Sequence, residues 1–392
     1  KKAVALMTVG ALAMSIFASC GKKTENVTDE NGRTIISVGS WPSKEGQEKQ
    51  NMEDRKQKFE ADNTEFVIQP DNWSFDLKSF YAKAAGGQLP VLFNTNFTEV
   101  SQIINAGYGA DLTDELKKQG IYDKMNKDVM DVVSKDGKVY AYPFASYVLG
   151  LAYNVDLFKK AGLMNEDGTP KQPKDWNELA EFAVKIKKAT GVPGFIFPTA
   201  NNVGGWIFTS VAWSYGTEFM KKDGDKWKAT FDSPEAAEAL QFIKDLKWKY
   251  DVLPSNTFVD YTEQFKTFGT GQGAMVIAAG DMPADVRSYE MNPDSIGMMA
   301  IPRGPKDHVT LMGGSVFAVS KGSSDKQIEG AIKWIKTAYS PDLTEQYKEN
   351  KEKDIKTRLE NNELITVKSM SPWNLESAAI KFDRELRDNL AH

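Results

Sequence analysis

Aromatic and amide side chains of the kind that bind sugars stand beside the apolar runs of this chain. Sugar rings present flat C–H faces that pack on aromatic rings, and hydroxyl groups that hydrogen-bond to planar polar side chains and to the backbone. We therefore predict a carbohydrate ligand, bound by residues that follow or interrupt the apolar runs. These residues are Trp41, Trp73, Asn94, Asn96, Tyr147, Trp206, Trp213, Asp281 and Met282.

Each of these residues also has a structural alternative. A lone tryptophan is more often a packing residue, and this applies most to Trp213 because it lies within a predicted helix. Asn94 and Asn96 are also typical turn formers, and Asp281 suits a helix cap. The other tryptophans before position 340 fall at helix starts or on amphipathic faces and are predicted to be structural: Trp176, Trp227, Trp248 and Trp334.

The sequence contains few of the residues that catalytic triads and metal sites usually need. Its two histidines, His308 and His392, lie far apart, and its single cysteine is Cys20. A His/Cys zinc site and a Ser–His triad are therefore nearly excluded, and no metal, cofactor or catalytic residue is predicted. A secreted carbohydrate-active hydrolase or lyase stays as an alternative, and it would need paired carboxylates such as Asp71 with Asp281.

The first residues have the pattern of an export signal. Two lysines precede an apolar run that closes on Phe-Ala-Ser-Cys at Cys20, the form of a bacterial lipobox with Phe17 where Leu or Val is usual. We predict that 1–20 is a lipoprotein signal peptide and that acylated Cys20 holds the protein at the membrane, facing outside the cytoplasm. A plain signal peptide is the alternative. The polar segment 21–33 is predicted to be a flexible tether.

Length and composition indicate a globular protein of two lobes. The 392 residues exceed the usual size of one domain, and 41% are hydrophobic and 26% charged. The formal net charge of -5 is mild. It argues against a nucleic-acid partner and leaves a neutral solute as the simplest ligand. We expect the protein to be a monomer.

Strands and helices are predicted to alternate along the chain. Short apolar runs such as 35–38 and 66–69 are typical of buried strands, and apolar residues at helical spacing predict helices such as 49–61 and 98–106. The sequence Asp-Trp-Asn-Glu at 175–178 has the form of a capping box that begins another helix. This alternation predicts an α/β fold with parallel sheets, in which ligands bind beyond the carboxyl ends of the strands.

The segment 137–158 is predicted to cross from one lobe to the other. Its first half is rich in residues of high β propensity, Pro143 then removes a ladder donor, and its second half resumes as an apolar strand. The segment 296–301 and the dipeptide at 340–341 are predicted as the second and third crossings. Residues in the middle of the first crossing, including Tyr147, then face the mouth of an interlobe cleft.

Several stretches resemble the extracellular solute-binding proteins of family 1, the maltose-binding-protein-like receptors of sugar ABC importers. They include Gly-Lys-Val-Tyr-Ala-Tyr-Pro at 137–143, Leu-Ala-Tyr-Asn-Val-Asp-Leu-Phe-Lys-Lys-Ala-Gly-Leu at 151–163, and Gly-Gln-Gly-Ala-Met-Val-Ile at 271–277. Matching landmarks run in the family's order from about position 35 to about 347. The resemblance also suggests Trp373 as a ligand-binding residue.

The resemblance implies a type II periplasmic-binding-protein-like fold that closes on its ligand by hinge motion and delivers it to an ABC permease. The N-terminal lobe is expected to comprise 34–142 and 302–339, and the C-terminal lobe 143–301 and 340–392. A binding protein for a non-sugar solute, such as a peptide, a polyamine or a phosphorylated sugar, stays as an alternative. A charged solute would require several groups of the opposite charge in the cleft, and the predicted loops hold few.

Overall fold

The computed structural model describes residues 27–224, 226–280, 282, 286–361, 370–374 and 376–390. The predicted signal peptide with Cys20, the residue Asp281 and the terminal His392 lie outside these residues.

Strands and helices follow one another in the order that an α/β chain requires. The strands are β1 Thr34–Val38, β2 Phe66–Pro70, β3 Leu92–Asn96, β4 Ser134–Lys135, β5 Lys138–Val139, β6 Ala141–Val148, β7 Gly150–Asn154, β8 Met220–Asp223, β9 Lys226–Ala229, β10 Met275–Ala278, β11 Ile296–Met299 and β12 Met312–Val319. The helices are α1 Gln47–Asp62, α2 Leu77–Ala85, α3 Phe97–Asn105, α4 Thr113–Lys118, α5 Lys127–Val133, α6 Val155–Lys160, α7 Trp176–Thr190, α8 Val203–Tyr215, α9 Pro234–Trp248, α10 Tyr261–Gly269, α11 Asp325–Tyr339, α12 Glu345–Glu360 and α13 Ala378–Leu390. The predicted α/β class is confirmed.

The chain divides into two compact units. Unit 1 comprises Lys1–Asp123, Met130–Phe144 and Ser315–Ser340, and unit 2 comprises Lys124–Val129, Ala145–Gly314 and Pro341–His392. The chain passes between them within β6, within β12 and at Ser340–Pro341. Residues 124–129 belong to unit 2 because residues near 373 hold them there, for example through the backbone N–H of Asn126, which donates to the carbonyl of Pro372.

Unit 1 is built on a mixed five-stranded sheet in the order β2-β1-β3-β12-β6. β1 runs parallel to β2 and to β3, as the alternation of strands and helices predicts, and β12 runs antiparallel to β3. Helix α11 covers this sheet and buries Trp334, which is 1% exposed, against the ring of Phe59. A capping box of Ser324 and Gln327 begins α11.

The sheet of unit 2 differs from the predicted parallel arrangement. Its order is β10-β7-β11, and both outer strands pair antiparallel with β7. The apolar segment 195–197 contributes one parallel bridge, Ile196 to Val276. The sheet is therefore centred on β7, which continues directly from the crossing strand β6 and takes its neighbours from later in the chain.

The predicted second crossing at 296–301 is wrong in its position. The segment forms β11 and pairs with β7 inside unit 2, and the chain leaves unit 2 only within β12. Residues 302–314 also pack with unit 2, because Leu149 donates to the carbonyl of Leu311 and Thr310 donates through its hydroxyl to the carbonyl of Leu149. The local sequence shows an extended run before a proline, but it does not reveal which strand that run pairs with.

Candidate functional site

An aromatic cluster of three side chains, Tyr147, Trp206 and Tyr261, lies in unit 2. The rings of Tyr147 and Trp206 meet edge to face with centroids 6.5 Å apart, and the rings of Trp206 and Tyr261 do so at 6.2 Å. Trp206 thus stands between two tyrosines, and all three side chains are partly exposed. Edge-to-face contacts fix ring orientation while leaving the remaining ring surface available to a ligand.

Helix α8 positions Trp206. Two glycines precede Trp206, yet the helix begins at Val203, so that Trp206 lies in its first turn. Asn201 and Asn202 take left-handed backbone conformations, with φ of 51° and 66°, and turn the chain into the helix. Gly204 allows a close approach, since a Cβ at that position would lie 2.8 Å from the carbonyl oxygen of Pro198.

Trp213 lies two turns after Trp206 on the same helix. Residues seven apart share a helix face, so both indoles project from one side of α8. Trp213 is 39% exposed. The face between them carries Thr209, whose hydroxyl donates to the carbonyl of Gly205. The structure therefore places two predicted ligand residues, Trp206 and Trp213, along one helix face.

The backbone of β12 approaches the ring of Tyr147 at Gly313. A Cβ at Gly313 would lie 2.4 Å from the Tyr147 ring, so glycine at this position lets the ring keep its place. Leu311, two residues before Gly313, links this part of the chain to α8. Its N–H donates to the Ser210 hydroxyl at 3.1 Å. Ser210 lies one turn after Trp206, and this hydrogen bond fixes the helix next to the strand.

Tyr261 begins α10, and a capping box orders the start of that helix. The Asp260 carboxylate accepts from the N–H of Glu263, and the Glu263 carboxylate accepts from the N–H of Asp260. The preceding loop is fixed by the N–H of Ala200, which donates to the carbonyl of Val259. This pairing brings the start of α10 close to the start of α8, so the ring of Tyr261 reaches Trp206.

A cavity of about 450 Å³ lies in unit 2, at the edge of the sheet where β7 begins. It is lined by backbone and apolar side chains from β7, β11 and the segment before β12, with one imidazole. The lining residues are Val148, Leu149, Gly150, Gly280, Met298, Met299, Ala300, Ile301, His308, Val309 and Thr310. The ring nitrogen Nε2 of His308 lies 2.9 Å from the carbonyl oxygen of Ile301. Val148, which lines the cavity, directly follows Tyr147 in β6.

Unit 1 brings a second group of predicted residues together at the carboxyl ends of β1 and β3. The Ser40 hydroxyl donates to Asn94 Oδ1 at 2.7 Å, and the Ser40 N–H donates to the carbonyl of Trp73 at 2.7 Å. Trp73 is partly exposed, and its ring meets that of Phe93 edge to face at 6.1 Å. Asn94 and Asn96 lie within β3 rather than in a loop after it, and Asn96 is exposed.

Three predicted residues are buried and pack inside their own units. Trp41 is 6% exposed, stacks on Trp334 with ring centroids 6.1 Å apart, and donates through its indole nitrogen to Glu53. Met282 is fully buried in the core behind α10. Trp373 is 8% exposed and forms a backbone bridge with Met125. Their side chains contribute to packing in this structure.

Tyr261 and Phe258 are candidate residues that the sequence interpretation did not identify. Phe258 is 74% exposed in the loop that leads into α10, three residues before Tyr261. The signal was available as Asp-Tyr-Thr-Glu at 260–263, a capping box with an aromatic residue in its first turn. No apolar strand precedes this motif, so the rule that ligands bind at strand ends does not point to it.

Helix α8 carries one titratable side chain, Tyr215, at the end away from Trp206. Burial raises the pKa of Tyr215, at the last turn of α8, to about 12, and nearby Glu238 and Asp175 add to the rise. Among the described residues, no group of His, Cys, Asp and Glu side chains is placed to hold a metal ion. In the same residues, no helix combines the length and the apolar character needed to cross a membrane.

Comparison with known proteins extends these observations to the whole chain. Residues 41–345 match the family model of the bacterial extracellular solute-binding proteins. A curated relative, the sn-glycerol-3-phosphate-binding periplasmic protein UgpB of Escherichia coli O1:K1, is 27% identical over 91% of this chain and 88% of its own.

Solved structures share the fold. The maltose-bound MalE3 of Thermotoga maritima superposes with a TM-score of 0.66 at 23% identity, covering 90% of this chain and 84% of its own. UgpB of Mycobacterium tuberculosis in complex with glycerophosphocholine gives a TM-score of 0.65 at 18% identity, covering 91% and 84%. The family match spans most of the chain and both units, and the protein therefore belongs to the bacterial extracellular solute-binding proteins.

Proposed function

We propose that this solute-binding protein captures a carbohydrate, of oligosaccharide length, for an ABC importer, and that Trp206 is the central ligand-binding residue. The observation that carries the proposal is the position of Trp206, a partly exposed indole held edge-on between Tyr147 and Tyr261. Such an arrangement orders the ring before the ligand arrives. Less conformational entropy is then lost on binding, which favours affinity.

The spacing of Trp206 and Trp213 along α8 supports a ligand longer than one sugar unit. Trp206 and Trp213 are separated by two helical turns, about 10 Å along the axis, which is comparable to the length of two linked hexose rings. Both indoles are available for packing against C–H faces, and Trp213 is the more exposed, at 39%. We therefore propose that Trp206 binds the first sugar ring and Trp213 a later one.

The polar group in unit 1 supports recognition of hydroxyl groups. The carboxamide of Asn94 is oriented by the Ser40 hydroxyl, and Asn96 is exposed two residues later on the same face of β3. Carboxamides both donate and accept, as sugar hydroxyls require. We propose Trp73, Asn94 and Asn96 as ligand residues of unit 1, and Tyr147, Trp206, Trp213 and Tyr261 as those of unit 2. Asp281 stays a proposal from the sequence.

A second candidate ligand is a glycerophosphate-type solute, since the named relatives include proteins that bind sn-glycerol 3-phosphate and glycerophosphocholine. The side chains at the start of α10 favour a neutral ligand instead. Asp260 and Glu263 stand beside Tyr261. Their carboxylates would repel a phosphate group, whereas they leave a neutral polyol unaffected.

Titration calorimetry with the exported chain distinguishes the two ligands. Maltooligosaccharides of increasing length form one arm, and glycerol 3-phosphate with glycerophosphocholine forms the other. We expect heat of binding with the sugars, with affinity rising from one to two or more rings. Binding of the phosphate compounds with no response to any sugar would overturn the carbohydrate proposal.

The protein is proposed to act by binding alone. The family consists of substrate-binding proteins, and the carboxylate pair required by the hydrolase alternative draws on Asp71, which accepts from the N–H of Trp73 at 2.8 Å. That hydrogen bond gives Asp71 a local structural role in the turn. Incubation with a bound oligosaccharide followed by chromatography is the test, and release of shorter sugars would establish the hydrolase.

Membrane attachment through Cys20 is proposed from the lipobox at the export signal. Acylation would keep the protein beside the permease that receives its ligand. A Cys20→Ser variant should leave the membrane fraction of expressing cells and appear in the soluble exported fraction. If the variant stays with the membrane as firmly as the parent, the acyl anchor is rejected.

A further inference from the structure

We propose that the β8–β9 hairpin of unit 2 binds an anionic phospholipid surface. The hairpin comprises Met220–Asp223 and Lys226–Ala229, and every one of these eight residues is exposed. It has no part in the aromatic cluster, so this proposal is independent of the ligand. Its composition differs from that of the whole chain, because residues 220–229 carry four lysines against two aspartates in a protein of net charge -5.

The register of the hairpin separates an apolar face from a lysine face. Residues directly opposite in an antiparallel pair share a face. Met220 lies opposite Ala229 and Lys222 opposite Trp227, so the apolar face carries Met220, Ala229 and Trp227 together with one lysine, Lys222. Trp227 is 61% exposed and Met220 is 58% exposed. Trp227 was predicted to be structural, but its ring is largely exposed in the structure.

The lysine face carries an unfavourable charge pair. Lys221 lies directly opposite Lys228, and Asp223 lies opposite Lys226. Like charges at directly opposed positions destabilise a two-stranded sheet. In the described part of the chain, neither Lys221 nor Lys228 forms an ion pair. An anionic surface would neutralise both ammonium groups at once and remove this repulsion.

A lipid surface fits these residue types better than a protein surface does. Lysine is depleted in protein–protein interfaces, whereas tryptophan and lysine are both favoured at the membrane–water boundary. There the indole packs at the level of the headgroups, and flexible lysine side chains reach the phosphates. The face with Trp227 and Met220 supplies the packing surface and carries Lys222, and the three lysines of the other face reach phosphates at the margin of the hairpin through their flexible side chains.

Vesicle flotation tests the proposal. The chain from residue 20 onward, carrying Cys20→Ser so that no acyl group contributes, is mixed with vesicles of phosphatidylcholine alone or with added phosphatidylglycerol. We expect flotation only with phosphatidylglycerol, and a decline as salt is raised because the attraction is electrostatic. Lys221→Glu with Lys228→Glu should weaken partition by about tenfold or more. Trp227→Ala should also weaken it.

A matched variant and a local probe distinguish the hairpin from the protein's overall charge. Lys188→Glu with Lys244→Glu makes the same change in net charge at exposed positions of α7 and α9. This pair should float like the parent. Brominated phosphatidylglycerol should quench fluorescence in the parent and less in Trp227→Phe.

Three results would overturn the proposal. The first is equal flotation of the Lys221/Lys228 variant and the parent. The second is an equal loss in the Lys188/Lys244 variant. The third is attachment that requires the permease in the vesicle, which would identify a protein partner in place of the lipid.

Discussion

The rings of Tyr147 and Trp206 meet edge to face, with centroids 6.5 Å apart and planes inclined at 74°. The contact joins β6, the strand in which the chain leaves unit 1, to the first turn of α8. Edge-to-face pairs contribute about 0.5–1.5 kcal/mol beyond the burial of area. Trp206 is therefore held in one orientation before any ligand is present, and this orientation determines which face of a sugar it can contact.

Replacing Trp206 by Ala should weaken the binding of an oligosaccharide by about 30-fold or more, because a central aromatic residue typically contributes at least 2 kcal/mol to a binding site. Trp213→Ala should cost less for a disaccharide and more for a longer sugar, since Trp213 lies farther along α8. Calorimetry against sugars of increasing length measures both effects.

Trp248→Ala is the matched control for these variants. Trp248 lies in the same unit and is 77% exposed, but it belongs to the last turn of α9. Affinity should stay at the level of the parent. If Trp248→Ala weakens binding as much as Trp206→Ala, or if Trp206→Ala binds normally, the assignment of the aromatic cluster is wrong.

Gly313 offers a test of the cluster that leaves every aromatic residue in place. The Cβ of Gly313→Ala would lie 2.4 Å from the Tyr147 ring, so this ring must move, and its contact with Trp206 changes. We expect about a tenfold loss of sugar affinity with a small change in unfolding free energy, because a partly exposed ring has room to turn.

The control for Gly313 is Gly205→Ala. Gly205 lies in the first turn of α8, next to Trp206, and a Cβ there meets nothing within 4 Å. Its affinity should equal that of the parent, and its stability should rise slightly because alanine favours a helix over glycine. Normal sugar binding by Gly313→Ala would show that the position of Tyr147 does not matter to the site.

Local sequence signals predicted the ends of helices better than the pairing of strands. The capping residue Asp175 and the left-handed Gly191 bound α7 as the sequence indicates. Such signals act within a few residues, so they can be identified without knowledge of the fold. The pairing of β11 with β7 joins segments about 140 residues apart, and no local pattern specifies that register.

Local sequence patterns also do not show which tryptophans are buried, because burial depends on contacts with distant segments. Trp41 was predicted to line the site because it follows β1, but its ring stacks on Trp334 of α11. The sequence cannot show this contact, since it joins the two ends of unit 1. Trp206 is partly exposed and lies in a helix, although two glycines precede it. Two glycines in the first turn of a helix cost stability but do not prevent the helix when later turns are apolar and buried.

Arg55 should stabilise unit 1 through the end of α11. Its guanidinium lies 4.0 Å from the centroid of the Trp334 ring and donates to the Trp334 carbonyl and the Thr337 hydroxyl. Burial lowers the pKa of Arg55 to about 10, so it stays protonated at neutral pH. A cation at this position also interacts favourably with the helix C-terminus.

Arg55→Met should lower the free energy of unfolding by about 1–3 kcal/mol, since it removes the two hydrogen bonds that the charged guanidinium donates to the Trp334 carbonyl and the Thr337 hydroxyl. Arg55→Lys should lose less because it keeps the charge but lacks the planar fork. Urea denaturation followed by tryptophan fluorescence measures the difference. Equal stability of the methionine variant and the parent would show that the contact contributes nothing.

Glu329 should make the stability of unit 1 sensitive to acid. Partial burial raises the pKa of its carboxyl, but hydrogen bonds and ion pairs with Lys333 and Lys326, each at 3.0 Å, outweigh burial and lower the pKa to about 2. Because the pKa in the folded protein lies below the unfolded value of 4.5, the ionised carboxylate stabilises the fold above that value. This stabilisation is lost as the pH falls from 4.5 towards 2.

Glu329→Gln should therefore be less stable than the parent at pH 7 by roughly 1 kcal/mol, a magnitude reduced from the full pKa difference because solvent screens the partly exposed pair. The difference should shrink as the pH falls below 4.5 and vanish below pH 2, where the parent carboxyl is protonated too. Denaturation midpoints across this range measure it, with Glu181→Gln on the exposed face of α7 as the control. A gap between Glu329→Gln and the parent that stays constant with pH would show that the ion pairs with Lys326 and Lys333 do not cause it.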